Sequence, residues 1–308
     1  MKFNVYCCSC TGNNQHYVKK MIQQFKQLDM SYSFEVFDIN LLLNQLEENQ
    51  KLQLAPCDGL VFSSYTDCYQ LPPQVQKFIN NIPDNFLKGK PTFTLNSNGG
   101  DPGVTALDFQ DRLSSTLYYG NLSQKYVNNY YKLTYPKTKE EVETINPNYE
   151  SILSLFLQQV HKQINMKSPI SGLSLSQKAK LKSVRAILNL RPKFRQLAMI
   201  RSPLVVNQDK CVSCNICVDI CPQQIIKTTD GKVSFSYEDK LFNDEKYINN
   251  CICCFNCVQN CPKQAITSKD RKLDKFIQYE FNEYQISIRK GFQLKSDLEA
   301  DFKQQQSV

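Results

Sequence analysis

The chain has 308 residues, 41% of them hydrophobic, with a formal net charge of +8, fourteen cysteines, two histidines and no tryptophan. That length suits more than one core, no apolar run reaches the ~18 residues a membrane helix needs, and the start Met1-Lys2-Phe3-Asn4-Val5-Tyr6 lacks the three-part pattern of a signal peptide. A soluble cytoplasmic protein is expected, and with only His16 and His161 to draw on, His-dependent hydrolysis and His-rich metal sites are disfavoured.

Hydrophobic periodicity predicts strands over 2–7, 33–37, 58–63, 91–95 and 126–134, alternating with helices over 15–28, 39–48, 73–81, 104–118 and 147–164. Strand and helix in strict succession imply an α/β domain over residues 1–165, a doubly wound parallel sheet with helices on both faces. In such a sheet a ligand lies beyond the carboxyl ends of the strands, where the strand order reverses.

Three loops fall at that edge. The first holds Ser9, Cys10, Thr11, Gly12, Asn13 and Asn14 and leads into a helix, so that small hydroxyl residues and backbone N–H groups suit a phosphate. The second holds Ser63, Ser64, Tyr65 and Thr66 ahead of Leu71-Pro72-Pro73, and the third runs Asn96, Ser97, Asn98, Gly99, Gly100, Asp101. Cys7, Cys8 and Cys10 crowd the first loop, and Cys57 and Cys68 flank the second; burial in strands accounts for Cys7 and Cys57, and a redox role for Cys10 is the alternative.

This arrangement resembles flavodoxins, and more closely the flavodoxin–ferredoxin fusion proteins of anaerobes, over nearly the whole chain up to about residue 268. In that family the first loop reads S-x-T-G-N-T and holds the FMN phosphate. Ser9, Thr11, Gly12 and Asn13 match it, while Asn14 replaces the last Thr. Tyr65 matches the tyrosine of the family's P-V-Y loop, with Ser63 where Pro is usual, and Asn98, Gly99 and Gly100 match the loop at the pyrimidine edge of the flavin. The resemblance implies an FMN site built from these loop residues up to Gly100; the competing reading is a flavodoxin-like scaffold without flavin.

Residues 166–202 form a basic helical linker. From 166 to 208 there are nine Lys/Arg and no Asp/Glu, whereas residues 1–165 hold 14 basic against 15 acidic residues. Between Ser176 and Leu190, Ala179, Leu181, Val184, Ala186, Ile187 and Leu190 can share a helix face, with Lys178, Lys180, Lys182 and Arg185 around the rest. One reading is a packed helix with a solvated basic side, the other a docking face for an acidic redox partner such as a small ferredoxin. No aromatic interleaving or nucleic-acid motif accompanies the charge.

Nine of the cysteines lie between Cys211 and Cys261 in an internal repeat. Cys211, Cys214, Cys217, Cys221 and Pro222 recur as Cys251, Cys254, Cys257, Cys261 and Pro262 at an offset of 40 residues, the C-x₂-C-x₂-C-x₃-C-P run of bacterial ferredoxins. Three thiolates two residues apart can hold three irons of a cubane, and the fourth, one residue further on, serves the neighbouring cluster. Cluster one is therefore expected on Cys211, Cys214, Cys217 and Cys261, cluster two on Cys251, Cys254, Cys257 and Cys221, with Cys253 left as a small hydrophobe. Zinc and disulfides are the rivals, but zinc ribbons use paired C-x₂-C units without the third and fourth cysteine before Pro.

Residues 203–268 thus resemble a small α+β two-cluster bacterial-type ferredoxin domain with two [4Fe–4S] clusters. Thr229-Asp230-Gly231-Lys232 reads as a hairpin turn, since Asp-Gly supplies positive φ angles, and 236–250 as a surface insertion. Residues 269–308 are a C-terminal extension with a hairpin over 276–288 and a disordered end.

The expected function is an iron–sulfur flavoprotein that relays electrons between [4Fe–4S] clusters and FMN, acting as a carrier or reducing a small acceptor at the flavin. The alternative is a non-enzymatic carrier or redox sensor on a flavin-free scaffold. No G-x-G-x-x-G loop supports direct NAD(P)H binding, no nucleic acid or membrane partner is expected, and a homodimer stays open.

Overall fold

A computed structural model of the chain describes residues 1–9, 13–47, 51–66, 69–125, 147–189, 204–221, 224–236 and 256–268. These fall into two compact units, one holding the described residues up to Lys182 and the other those from Ser183 onward.

The first unit contains β1 (Lys2–Cys7), α1 (Asn13–Leu28), β2 (Ser33–Asp38), α2 (Ile39–Glu47), β3 (Gly59–Tyr65), α3 (Pro73–Asn80), the single turn α4 (Asp84–Leu87), β4 (Pro91–Asn98), α5 (Thr105–Arg112), β5 (Leu117–Lys125) and α6 (Tyr149–Met166). Helix α7 (Leu175–Asn189) follows, and the division between the units falls within it. The strands form one parallel sheet in the order β2-β1-β3-β4-β5. That is the flavodoxin-like order, in which the direction of strand succession reverses between β1 and β3.

The central strands carry almost unbroken apolar runs because both faces of a parallel sheet are covered. Alternation along β1 sends Phe3, Val5 and Cys7 to one face and Tyr6 to the other. Tyr17, Val18, Met21, Ile22 and Phe25 of α1 and Leu153, Leu157 and Val160 of α6 cover the first face. On the second face lie Ile39, Leu42 and Leu43 of α2, Val75, Phe78 and Ile79 of α3, and Phe109 of α5.

Three sequence-derived boundaries shift. The helix expected over 104–118 ends at Arg112, and Leu117 already begins β5. The polar run Ser114-Ser115-Thr116 stops the helix as the Thr116 hydroxyl donates to the Leu113 carbonyl at 2.7 Å, and Tyr118 and Tyr119 suit a strand. The strand expected over 126–134 lies outside the described residues. Strands β3 and β4 also outrun their expected ends, since Ser64 pairs with Asn96, Tyr65 with Ser97 and Asn98 with Lys125.

In α7 the expected inward face is not what the helix buries. Leu181 is 2% exposed and Val184 half-buried, but Ala179, Ala186 and Ile187 are exposed, Ile187 at 54%. Apolar periodicity gave Leu181 and Ile187 equal claim to that face; packing uses only one turn of it.

The second unit is built on β6 (Leu204–Val206), α8 (Ile216–Asp219), β7 (Ile226–Thr229), β8 (Lys232–Phe235), α9 (Asn256–Gln259) and β9 (Ile266–Ser268). Strand β6 pairs antiparallel with β9, and β7 with β8. The β7–β8 turn has φ of 49° at Asp230 and 72° at Gly231, as the Asp-Gly pair predicts. The 40-residue sequence repeat is a structural repeat: α8 and α9 occupy matching positions, and Gln224 and Gln264, at φ of 50° and 48°, donate to the carbonyls of Cys221 and Cys261, both at 3.1 Å. Of the insertion expected over 236–250 only Ser236 is described, its N–H donating to the Ile225 carbonyl at 2.8 Å; the rest of it and the extension from 269 lie outside the described residues. No described helix is long and apolar enough to cross a membrane.

Candidate redox sites

In the second unit the first motif's loop is held open by backbone hand. Ser213 and Asn215, at φ of 51° and 60°, alternate with residues of ordinary hand, which gathers successive N–H groups into a concave set suited to an anion. Thr228 donates to Asn215 Oδ1 at 2.7 Å and Ser213 Oγ donates to the Gly231 carbonyl, fixing the loop to the β7–β8 hairpin.

Beside that loop lies a small pocket partly open to solvent. Cys211, Cys214, Cys217 and Cys261 line it, and Val206, Val233 and Ile266 supply apolar wall. Three of the thiols come from the first motif and one from the second, brought over by the β6–β9 pairing that places Ile266 opposite Val206. The Ala265 N–H donates to Cys261 Sγ at 3.2 Å, the kind of bond that tunes a cluster-bound sulfur. Burial, with the neighbouring Cys261 and Cys214, pushes the Cys217 thiol up to about 11, so metal loading must release protons here.

Among the described residues no three His, Cys, Asp or Glu side chains converge as a single metal ion requires, although four thiols share this cavity. Thiols spread over cavity walls suit a multi-iron cluster better than one tetrahedral zinc. The donor set therefore fits a [4Fe–4S] group. Of the second set, Cys257 is buried and Cys221 half-buried, and Asn256 Nδ2 donates to the Ile220 carbonyl at 3.1 Å, so the two cysteines each adjoin one end of that bond. Cys251, Cys253 and Cys254 lie outside the described residues.

At the carboxyl edge of the sheet, Ser9 Oγ accepts the Asn14 N–H at 3.2 Å, and Asn14 Nδ2 donates to the Cys8 carbonyl at 2.9 Å. Asn13 opens α1, whereas Cys10, Thr11 and Gly12, like Cys68, lie outside the described residues. Ser63 and Ser64 are fully buried within β3 rather than in a loop. Tyr65 is half-buried with its hydroxyl accepting from Gln74 Nε2 at 2.9 Å.

Asn96 is the centre of a polar knot. Its Nδ2 donates to Thr66 Oγ1 and to Ser123 Oγ, both at 2.8 Å, and Thr66 Oγ1 lies 3.1 Å from Thr105 Oγ1. Asn98, also within β4, donates to Ser123 Oγ at 3.4 Å and accepts the Gly100 N–H at 3.1 Å. Ser97 is buried, while Gly99 and Gly100 are exposed. Gln74, Thr105 and Ser123 were not predicted from sequence; their partners are 9, 39 and 27 residues away, and no local pattern marks them.

The Oδ1 atoms of Asn14 and Asn96 are buried without a hydrogen-bond partner. A buried acceptor left unpaired is costly, and it is the kind of atom that a polar ligand satisfies. Both atoms are acceptors, so they fit a cofactor that brings hydroxyl and ring N–H donors, such as FMN. Cys7 and Cys8 do not add a reactive thiol, because both are buried, and burial and then Asp38 push the Cys7 thiol well above its ordinary value.

A protein-family model described as a 4Fe-4S dicluster domain matches residues 210–266. This region is an iron–sulfur domain. Electron transfer is the chemistry such a domain serves. The search of curated proteins found no match. Among solved structures the chain is similar to a flavodoxin from the domain Archaea, at 14% identity over 52% of this chain and 99% of that one, with a TM-score of 0.34. It is similar also to oxidised flavodoxin 2 from Bacillus cereus, at 16% identity over 53% and 99%, TM-score 0.35. A third is the flavodiiron protein from Giardia intestinalis, at 13% identity over 55% of this chain and 38% of that one, TM-score 0.31. Scores this low carry no argument, and the flavodoxin-like fold follows from the strand order itself.

Proposed function

We propose that the protein is an iron–sulfur flavoprotein that relays electrons between two [4Fe–4S] clusters and an FMN. The observation that carries the reading is the pocket that thiols of both cysteine motifs line. When bound, the clusters supply one-electron steps and the flavin supplies one- or two-electron steps, which together allow a carrier to serve unlike partners.

The chain's own residues bind and tune. Cys211, Cys214, Cys217 and Cys261 would hold one cluster as thiolates, and Cys221, Cys251, Cys254 and Cys257 the other. The Ala265 N–H stabilises negative charge on Cys261 Sγ, and Val206, Val233 and Ile266 supply apolar wall beside the thiolates. In the sheet unit, Ser9, Cys10, Thr11, Gly12, Asn13 and Asn14 would cradle the FMN phosphate, and Asn96, Asn98, Gly99 and Gly100 the polar edge of the ring. Asn96, held on both sides by Thr66 and Ser123, presents its free Oδ1 as a fixed acceptor.

Anaerobic purification with iron, sulfide and flavin quantification tests this directly. The expected result is about eight irons and eight sulfides per chain, with one FMN. Zinc in place of iron would end the cluster reading, and iron without flavin would leave the carrier or sensor on a bare scaffold. Thr11→Ala is expected to weaken FMN retention by about 1–2 kcal/mol, the value of one hydrogen bond to a charged group.

A further inference from the structure

Helix α7 opens on a reciprocal cap: Ser174 Oγ accepts the Gln177 N–H at 3.2 Å, and Gln177 Oε1 accepts the Ser174 N–H at 2.8 Å. At this end the helix dipole favours a carboxylate, and Glu at position 177 would make the same cap with that attraction added. The chain places neutral Gln177 there and follows it with Lys178, a cation where the dipole disfavours one. Lys178 and Lys182 stand four residues apart, a like-charge pair that weakens a helix, and Lys180 adds a third cation. No Asp or Glu between 166 and 208 offsets them.

All three lysines are exposed. Leu175, 86% exposed, lies on the same face as Lys178 and Lys182 at helical spacing of three and seven. The helix thus carries charges that its own stability argues against, two of them beside an uncovered apolar side chain. A solvated surface helix gains nothing from that pattern, whereas an anionic partner does. The helix has no aromatic residue for base stacking or for a membrane interface, which favours an acidic protein over nucleic acid or lipid.

We propose that α7 is the docking face for a small acidic electron-carrier protein, whose carboxylates meet Lys178 and Lys182 beside Leu175 while Lys180, further round the helix, adds to the attracting field; the proposal rests on the electron-transfer reading above. Charge steering of this kind raises encounter rates and fades as salt shortens the screening length from ~10 Å at 0.1 M to ~3 Å at 1 M.

The test uses the full-length protein under anaerobic conditions, with a small acidic bacterial-type ferredoxin as the probe. Stopped-flow reduction by the reduced ferredoxin and anisotropy of a labelled oxidised ferredoxin are followed against salt. The triple variant Lys178→Gln, Lys180→Gln, Lys182→Gln is expected to slow reduction and weaken binding about tenfold at low salt, with the difference gone near 1 M. Gln177→Glu is the sharper variant. It keeps the cap and favours the helix, so thermal stability holds or rises, yet reduction and binding fall about threefold. The binding arm needs no electron transfer, so missing clusters, seen by iron content, are distinguished from missing docking. Variants that match the wild type in low-salt binding, or wild-type protein that prefers phosphatidylserine vesicles or duplex DNA to the ferredoxin, would overturn the proposal.

Discussion

The two units solve the problem of burial differently. Among the described residues of the sheet unit sixteen buried ones pack on each face of the sheet, with Phe3, Phe25, Phe62, Phe78, Phe93 and Phe109 at 0% exposure. In the iron–sulfur unit the buried cluster among the described residues has eight members, two of which are Cys217 and Cys257. Thiols that would be cluster ligands are thus part of its packing. The sheet unit is held by apolar burial, whereas the second unit is expected to gain folding free energy from cluster ligation, as other small metal domains do.

The largest effect separating them is cluster removal. Ferricyanide with a chelator is expected to abolish hydrogen-exchange protection in β7 and β8 while β1, β3 and β4 keep theirs. A hairpin still protected without iron would break the comparison.

Next in size is the core of the sheet unit. Phe25 stacks on Phe93 with ring centroids 5.7 Å apart and meets Tyr32 edge-on at 4.8 Å. Phe25→Ala is expected to cost roughly 3–5 kcal/mol in urea unfolding of this unit, with iron content unchanged. A loss of iron in that variant would show that the units fold together.

The sheet unit should also carry an acid sensitivity of its own. Burial, then Lys20 and Lys19, lowers the His16 pKa from 6.5 to about 4. Between those values the unfolded chain takes up a proton that the folded one does not. The stability is thus complete above pH 6.5 and is lost as pH falls toward 4. The span is roughly 3 kcal/mol, and His16→Gln should flatten it. An unaltered pH profile in the variant would assign the acid loss to other groups.

The smallest effect belongs to the hairpin that braces the first cysteine loop. Gly231 sits at φ of 72° with open space where a Cβ would go, so Gly231→Ala costs only the left-handed penalty of about 1–2 kcal/mol. That should appear as faster cluster loss to a chelator, with the sheet unit's unfolding unchanged and Gly231→Asn intermediate.

Much of this protein is written locally in its chain. The thiol spacing from Cys211 to Cys221 and its copy 40 residues later are legible because a metal cluster constrains residues three or four positions apart. The Asp230-Gly231 turn needs only its own dihedral angles, and β1, α1, α3 and α6 announce themselves because periodicity reflects which face is buried. Pairing and packing across the fold decided the rest. How far β3 and β4 run depends on partners in β4 and β5, so Ser64, Asn96 and Ser97 are strand residues where composition suggested loops. Gln74, Thr105 and Ser123 gain their place at the sheet edge only from side chains reached across the fold. In α7 the heptad-like apolar spacing gave no hint that Leu181 is covered while Leu175 and Ile187 are left in water. Periodicity names the residues able to be buried; which of them are depends on what the fold brings against them.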